Sequence, residues 1–594
     1  MNHMHRSRSN KWQPTLGRMF LGVWCTWGLL VVSAGAAERG LYETMGAPPN
    51  PRVSAQWNRY HDYAEATQLL KAMVDAHPRR ARLQSLGRSH GGREMWLLTI
   101  TNFDSGDDRS KSAFWIDAGI HANEVQGAEV ALYTAWYLLE MDGRVPFITE
   151  LLAKRAFYIL PMLSPDSRDA HMHEPASTHA PRSGLRPVDD DRDGLVDEDG
   201  PDDLDRDGHI TQMRIADPNG RWKPHPDYPQ LMIPAEPDER GQYTLLGSEG
   251  IDNDGDGRID EDGPGYYDPN RDWAWNWQPR GVQAGAYRYP FSIAENRMAA
   301  DFVIDHPNIA GAQSYHNAGG LILRGPGAKE EQFAPADVAV FDALAKKGEL
   351  VLPGYRYVVI GKDMYTVYGG EIDWFYAMRG VFTFTNELFT AFNYFRKPSE
   401  KGWFGREEDA RAFDKYLLFS QGTVPWKKVL HPQLGEIEVG GLKKNWLRQP
   451  PSFLLEEECH RNMAFTLYHA NQMPLVEVQS VRTRPAANGL TEVTATISNR
   501  RMIPTRAAVD VQHQVSPPDK VRISGKELRV IAGLQSSDPF FRAAKEQKLK
   551  PEELRVSTIP GMSAVYVRWL VEGQGPYRVS VSSAKGGRSQ ATSP

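Results

Sequence analysis

From about Tyr60 to Asn471, short β-rich apolar runs alternate with helical patterns, which confines this segment to an α/β architecture on a mixed or parallel sheet. Ala113-Phe114-Trp115-Ile116-Asp117 reads as a buried strand, Glu124 to Leu139 as a helix with one apolar stripe, and Ala156 to Met162 as the next strand. The rhythm then stops. From Ser164 to Asp268, Asp, Gly and Pro dominate with little periodicity, as expected of a loop-rich insertion. Beyond Pro474 the alternation in Thr491 to Ile497 and Ala564 to Trp569 predicts an all-β sandwich over 473–594, with a helical stretch near Phe540 to Glu553.

The N-terminus has a different logic. Arg6, Arg8, Lys11 and Arg18 precede an apolar run from Met19 to Val32, and Ser33-Ala34-Gly35-Ala36-Ala37 follows, so residues 1–37 read as an export signal cleaved near Ala36 or Ala37. The expected location is secreted or periplasmic. The alternative is an uncleaved anchor; no later run is apolar for long enough to span a bilayer. Cys25 leaves with the signal, and Cys459 alone forms no intrachain disulfide. With 594 residues, 41% hydrophobic, 24% charged and a net charge of −6, the chain has the composition of a multidomain globular protein. There is no basic stripe of the kind that nucleic acid recognition requires.

Gly119-Ile120-His121-Ala122-Asn123-Glu124 sets a His and a Glu three apart just past a predicted strand end, where open α/β sheets place their ligands. Gln313-Ser314-Tyr315-His316-Asn317 offers a second His. Two imidazoles and a carboxylate form a catalytic zinc set that leaves one position for water.

Further motifs follow in order. Gly87 to Arg93 with Trp96-Leu97-Leu98, Trp115 to His121, Asp268-Pro269-Asn270-Arg271-Asp272-Trp273, Tyr365 eight residues before Asp373, and Phe382 to Leu388 with Glu387 fourteen residues after Asp373 together resemble the zinc carboxypeptidase family over Tyr60 to Tyr468. The resemblance implies a mixed eight-stranded sheet with helices on both faces in a catalytic domain spanning 38–472. It implies one zinc held by His121, Glu124 and His316, with Glu387 as general base. It further implies that Asn270 and Arg271 hold the free C-terminal carboxylate of a peptide substrate, and that Tyr365 closes over it, with Tyr368 as the rival. Ile360, Val367, Ile372 and Thr385 would line the side-chain pocket, which favours an apolar or aromatic C-terminal residue. Arg214 resembles the family's oxyanion arginine; a salt bridge to nearby aspartates is its other reading.

Departures from the family pattern are Asn123, where many members carry arginine, the turn Ser164-Pro165-Asp166-Ser167, and the acidic insertion itself. That insertion repeats one twelve-residue pattern at Asp189–Gly200 and Asp252–Gly263, with a shorter relative at Asp203–Gly208. Eleven acidic residues lie between Asp189 and Gly208, and such density is repulsive without a cation. Asp189, Asp191, Asp193, Asp203, Asp205, Asp207, Asp252, Asp254 and Asp256 are candidate calcium ligands, although position twelve is Gly200, Arg214 or Gly263 where an EF-hand has Glu. Asp197, Asp199, Asp260 and Asp262 could close the shell instead. His171 and His173 read as exposed loop histidines. The competing functions are a zinc amidohydrolase or deacylase, a peptidoglycan-peptide hydrolase, and an inactive calcium-stabilised binding protein.

Overall fold

The computed structural model describes residues 45–189, 192–389, 407–446 and 448–594. The expected signal, Cys25 and Asp191 lie outside the described residues. A separate N-terminal unit ends at Pro49, and Asn50–Pro594 forms one unit. Among the described residues no helix is long and apolar enough to cross a membrane.

Eight strands make the central sheet: β1 (Ala81–Arg88), β2 (Glu94–Ile100), β3 (Ser112–Ala118), β4 (Arg155–Leu160), β5 (Ile309–Asn317), β6 (Leu321–Arg324), β7 (Arg356–Val359) and β8 (Phe382–Leu388). Their order is β1-β2-β4-β3-β5-β8-β6-β7. The inner four, β4, β3, β5 and β8, run parallel, while β1, β2 and β6 join by antiparallel pairings, so the sheet is mixed. Every residue of β3, β4 and β5 is buried, because helices cover both faces. One apolar cluster joins the helices Tyr63–Ala76, Gln126–Met141, Pro335–Val351 and Ser452–Asn471 to one face; a second joins Ala294–Asp305 and Glu371–Arg379 to the other.

The helix Gln126–Met141 differs from its predicted single stripe, since all of its residues are buried. It packs against both the sheet and helix Ser452–Asn471, and its two acids are satisfied internally: Glu129 by His61 and Arg168, Glu140 by His77 and the Arg52 and Val53 amides. At Gly127 a Cβ would lie 3.0 Å from the Tyr315 carbonyl oxygen, so glycine is what lets this helix approach β5.

The insertion is more ordered than its composition predicts. Ser164 to Glu174 folds as a helix, Pro165–His173, with proline in its first turn. His171 is therefore buried on a helix, where desolvation pushes its pKa down to about 3, and His173 is exposed near Asp62. Four short strands of the insertion pair with Thr423–His431 and Gly435–Leu442 in a six-stranded antiparallel sheet. These strands escape sequence reading because three to six residues carry too little period to recognise.

The C-terminal region is β-rich, as expected. Its two long strands, Asp519–Ser536 and Ser563–Ser583, pair along most of their length with register shifts, and each half of the pair gains different neighbours. The sheet thereby doubles over one apolar core containing Val493, Val521, Trp569 and Val579. The predicted helix near Phe540 is absent: that stretch holds the two-residue strand Lys545–Glu546, and the helix of this region is Ala508–His513. Buried charges fasten the region to the central sheet and to the end of helix Glu371–Arg379. Arg155 donates to the Met473 and Pro474 carbonyls at 2.5 and 2.8 Å, and Lys585 donates to the Arg379 and Gly380 carbonyls at 2.5 and 2.8 Å.

Candidate metal centre

Three adjacent parallel strands deliver the central residues. β3 ends at Ala118 and the chain turns at Gly119, whose φ of +68° suits glycine, to present His121 and Glu124. β5 carries His316, and β8 carries Glu387 directly opposite it in the parallel register. The site thus stands at the carboxyl ends of the inner strands.

His121, Glu124 and His316 are all buried, and one ligand atom from each lies within 4.8 Å of the others. His121 Nδ1 is 2.9 Å from Glu124 Oε1, and His316 Nδ1 is 3.0 Å from Glu124 Oε2 and 3.2 Å from His121 Nδ1. On its far side His121 Nε2 meets Asp268 Oδ1 at 2.9 Å. That carboxylate holds the ring proton on Nε2, which turns the Nδ1 lone pair toward His316 and Glu124. Two imidazole nitrogens and a carboxylate facing one point fit a zinc ion: the donor types and their number are those of a three-ligand catalytic site.

Charge around the triad is strongly organised. Burial alone would push the Glu124 carboxyl up, but His121 and His316 outweigh it and hold it well below the usual carboxylate range. Asp268 is also held well below its ordinary value, burial being outweighed by Arg182, Arg271 and His121. Arg182 donates to Asp268 Oδ2 at 2.7 Å and stands 4.0 Å from Glu124. Arg448 lies 3.3 Å from Glu124 Oε1 and donates to the Asn317 carbonyl at 2.9 Å. Glu387 differs in kind: burial, followed by the negative charge of Glu124, raises its pKa to about 7.

The other residues singled out by sequence fall into two groups. Asn270 belongs to the site, with Nδ2 3.5 Å from His316 Nε2 and Oδ1 accepting from the Glu371 amide at 2.9 Å. Arg271 adjoins it, donating to the Asn270 carbonyl at 2.7 Å and lying 3.7 Å from Asp268. Tyr365 is 53% exposed, whereas Tyr368 is tied to Glu330. Val367, Ile372 and Thr385 are buried, and Ile360 packs on the cluster of Leu321, Leu323 and Val358. Beside Val367 the buried Asp373 accepts from the Gly327 amide at 2.8 Å.

Arg214 does not join the centre. It lies opposite Glu438 across two strands of the six-stranded sheet, bonds it at 2.7 Å, and is sandwiched between Tyr243 and Trp426 with 3.9 Å to each ring. The sheet pairing explains this: register fixes Arg214 against Glu438, not against the nearby aspartates. Replacing Arg214 by Ala is expected to leave kcat unchanged and to cost about 1–3 kcal/mol of stability, read by thermal denaturation, through the unpaired Glu438.

Arg182, Arg448 and Asp268 carry site contacts that sequence reasoning did not assign. Asp268 opens the segment Asp268-Pro269-Asn270-Arg271-Asp272-Trp273, two residues before Asn270, and that adjacency was its one available signal. Arg182 lies in the aperiodic insertion and is placed by a backbone bond, in which Ala122 donates to the Arg182 carbonyl at 2.9 Å, and by the Asn123 side chain, whose Nδ2 donates to the Thr178 and His179 carbonyls. Asn123 therefore anchors the segment that brings an arginine to the centre.

Among the described residues, four groups of acids in the insertion place oxygens within 4.8 Å of one another, combining candidate calcium ligands with other acids: Asp193–Glu198–Asp254, Asp199–Asp254–Glu261, Asp203–Asp205–Glu249 and Asp252–Asp254–Asp256. Asp189 and Asp207 instead accept the Arg192 and His209 amides. The two long repeats meet at an Asp199–Asp262 bridge, where Asp199 accepts the Asp260 amide and Asp262 accepts the Asp197 amide.

A mixed sheet with two imidazoles and a carboxylate at the ends of its inner strands places this chain in the class of α/β proteins with a candidate metal centre at the carboxyl ends of the strands. Comparison sharpens the class. The family described as zinc carboxypeptidase matches residues 66–182 and 257–401, on either side of most of the acidic insertion, and a domain of unknown function matches 475–593. Segments 66–182 and 257–401 thus match the zinc carboxypeptidase family. Carboxypeptidase A1 of Sus scrofa is 23% identical over 340 residues, 55% of this chain and 62% of that protein. Carboxypeptidase D of Homo sapiens is 28% identical over 158 residues, 27% of this chain and 11% of that protein. The chain thus spans less than two thirds of the length of these relatives. A solved structure of carboxypeptidase A from Helicoverpa armigera aligns with a TM-score of 0.39 at 19% identity, over 60% of this chain and 70% of that one.

Proposed function

We propose that this protein is an exported zinc metallocarboxypeptidase that releases C-terminal amino acids from peptides. The observation that carries the reading is the convergence of His121, Glu124 and His316 with Glu387 on the neighbouring strand, in register with His316. Export rests on the composition of residues 1–37.

His121, Glu124 and His316 would hold the zinc, which when bound polarises the scissile carbonyl and acidifies water. Glu387 takes the proton of the attacking water and delivers it to the departing amine; a pKa near 7 suits a group that must accept and then give. Asp268 keeps His121 in the ligating tautomer. Arg182, beside Glu124 and Asp268, stabilises the charge that develops on the carbonyl oxygen, the role first read for Arg214. Asn270 and Arg271 hold the free carboxylate of the substrate, and Tyr365, already exposed, closes over it. Val367, Ile372, Thr385 and Ile360 offer the C-terminal side chain an apolar wall.

Arg182→Ala is expected to lower kcat by about 10²–10³-fold with little change in KM, measured by steady-state kinetics on a blocked dipeptide with a free C-terminus. The function itself is tested with a panel of peptides and N-acyl amino acids, with and without chelator. Release of single C-terminal residues supports the proposal. Turnover of N-acyl amino acids alone, or none at all, refutes it.

A further inference from the structure

The third acidic motif, Asp203-Leu204-Asp205-Arg206-Asp207-Gly208, has Arg214 at position twelve of a calcium-loop frame, and Arg214 is bound to Glu438. A carboxylate from elsewhere takes that place. Glu249, fully buried, reaches over the loop: Oε1 accepts the Leu204 amide at 2.9 Å, and Oε2 accepts the Thr211 amide and hydroxyl at 3.0 and 2.7 Å. Asp203, Asp205 and Glu249 each bring an oxygen within 4.8 Å of the others. Asp203 is itself oriented by the Asp207 and Gly208 amides.

The independent sign of a ligand is Asp205. Its side chain is only 4% exposed, and Oδ1 accepts no hydrogen bond. Its other oxygen lies 3.6 Å from Lys427 Nζ, whose side chain is 59% exposed. A buried carboxylate oxygen with no donor is costly unless something supplies positive charge. Burial and then the neighbouring Asp207 raise the Asp205 pKa, and burial raises that of Glu249. Lys427, exposed, and Lys444, which acts on Asp203 while its ammonium is bonded to the Glu174 carbonyl, are two cations against three facing carboxylates.

We propose that Asp203, Asp205 and Glu249 bind a hard divalent cation, calcium in preference to magnesium. An all-oxygen set supplied by a flexible loop suits the larger ion, whereas magnesium demands a tighter octahedron and surrenders its water reluctantly. The absence of nitrogen and sulfur donors separates this site from the zinc centre. The loop runs straight into strand Gln212–Ala216, which pairs with Gly435–Leu442, and the segment after that strand carries Arg448 to Glu124. The cation therefore pins the insertion where its sheet leads toward the metal centre. None of this depends on the peptidase reading.

The test uses the whole chain, stripped over a chelating resin, reloaded with one equivalent of zinc, and titrated calorimetrically with calcium and separately with magnesium. Wild type is expected to show a calcium component with a dissociation constant of about 10⁻⁴–10⁻³ M that Asp205→Asn lacks. Calcium at 100 times that constant should lower the unfolding equilibrium constant about 100-fold in wild type, and this component of the gain should be missing in Asp205→Asn. Without calcium, Asp205→Asn should melt no lower than wild type, because Oδ1 has no donor to lose. Lys427→Met should tighten calcium binding. The proposal is overturned if wild type and Asp205→Asn bind and are stabilised by calcium alike, if Asp205→Asn melts lower by the same amount with and without calcium, if magnesium binds more tightly than calcium, or if Lys427→Met weakens binding.

Discussion

Replacing Glu387 by Gln is expected to lower kcat on a peptide with a free C-terminus by about 10²–10⁴-fold while zinc content stays at one per chain. The amide keeps the size and polarity of the side chain but neither accepts the water proton nor returns it to the leaving amine. Glu387 is not among the three metal-facing groups, so its loss spares the ligand set. The pH profile gives a second readout. Burial and the charge of Glu124 raise the Glu387 pKa to about 7 in the metal-free protein, and a base must be deprotonated to act. Activity in wild type is therefore expected to rise with pH on the acid side, with an apparent pKa pulled below about 7 by the added positive charge of zinc. In Glu387→Gln that acid limb is absent from the residual rate. A variant that retained full turnover, or lost its zinc, would remove Glu387 from the proposed role.

Glu124→Ala is expected to lose both stoichiometric zinc, measured by elemental analysis, and turnover, which falls to the level of chelated wild type. Glu124 bridges the two histidines, with an oxygen at 2.9 Å from His121 Nδ1 and another at 3.0 Å from His316 Nδ1. Removing it leaves two imidazoles, one short of a three-ligand catalytic site. It also leaves Arg182 and Arg448 facing an uncompensated position, which repels a cation electrostatically. Added zinc should restore chelated wild type and fail to restore Glu124→Ala. Zinc retained at full occupancy by the variant would place the metal elsewhere.

Legibility from sequence followed the range of the interaction involved. Strands β3 and β4 were readable because each is a short, continuous apolar run. His121 and Glu124 were readable just past the predicted end of β3, and His316 through the ordered motifs that resemble the zinc carboxypeptidase family. Arg182 was not: it reaches the centre through a backbone bond from Ala122 sixty residues earlier (182 − 122), which leaves no local pattern. Arg214 was the opposite case, an arginine in a plausible place along the chain, removed from the site by strand pairing with Glu438. The six-stranded sheet was hidden for the same reason, since it unites strands around 212–248 with strands around 423–442.

The alternation of apolar periods and the kinds of side chain at strand ends were determined by sequence alone, because burial periodicity and donor chemistry are properties of neighbouring residues. Which arginine faces Glu124, and that Glu249 rather than a twelfth loop residue closes over Asp203 and Asp205, were decided by tertiary structure. Those outcomes depend on which distant strands pair and in what register, and hydrogen-bonded pairing between separated segments is specified by the packed whole.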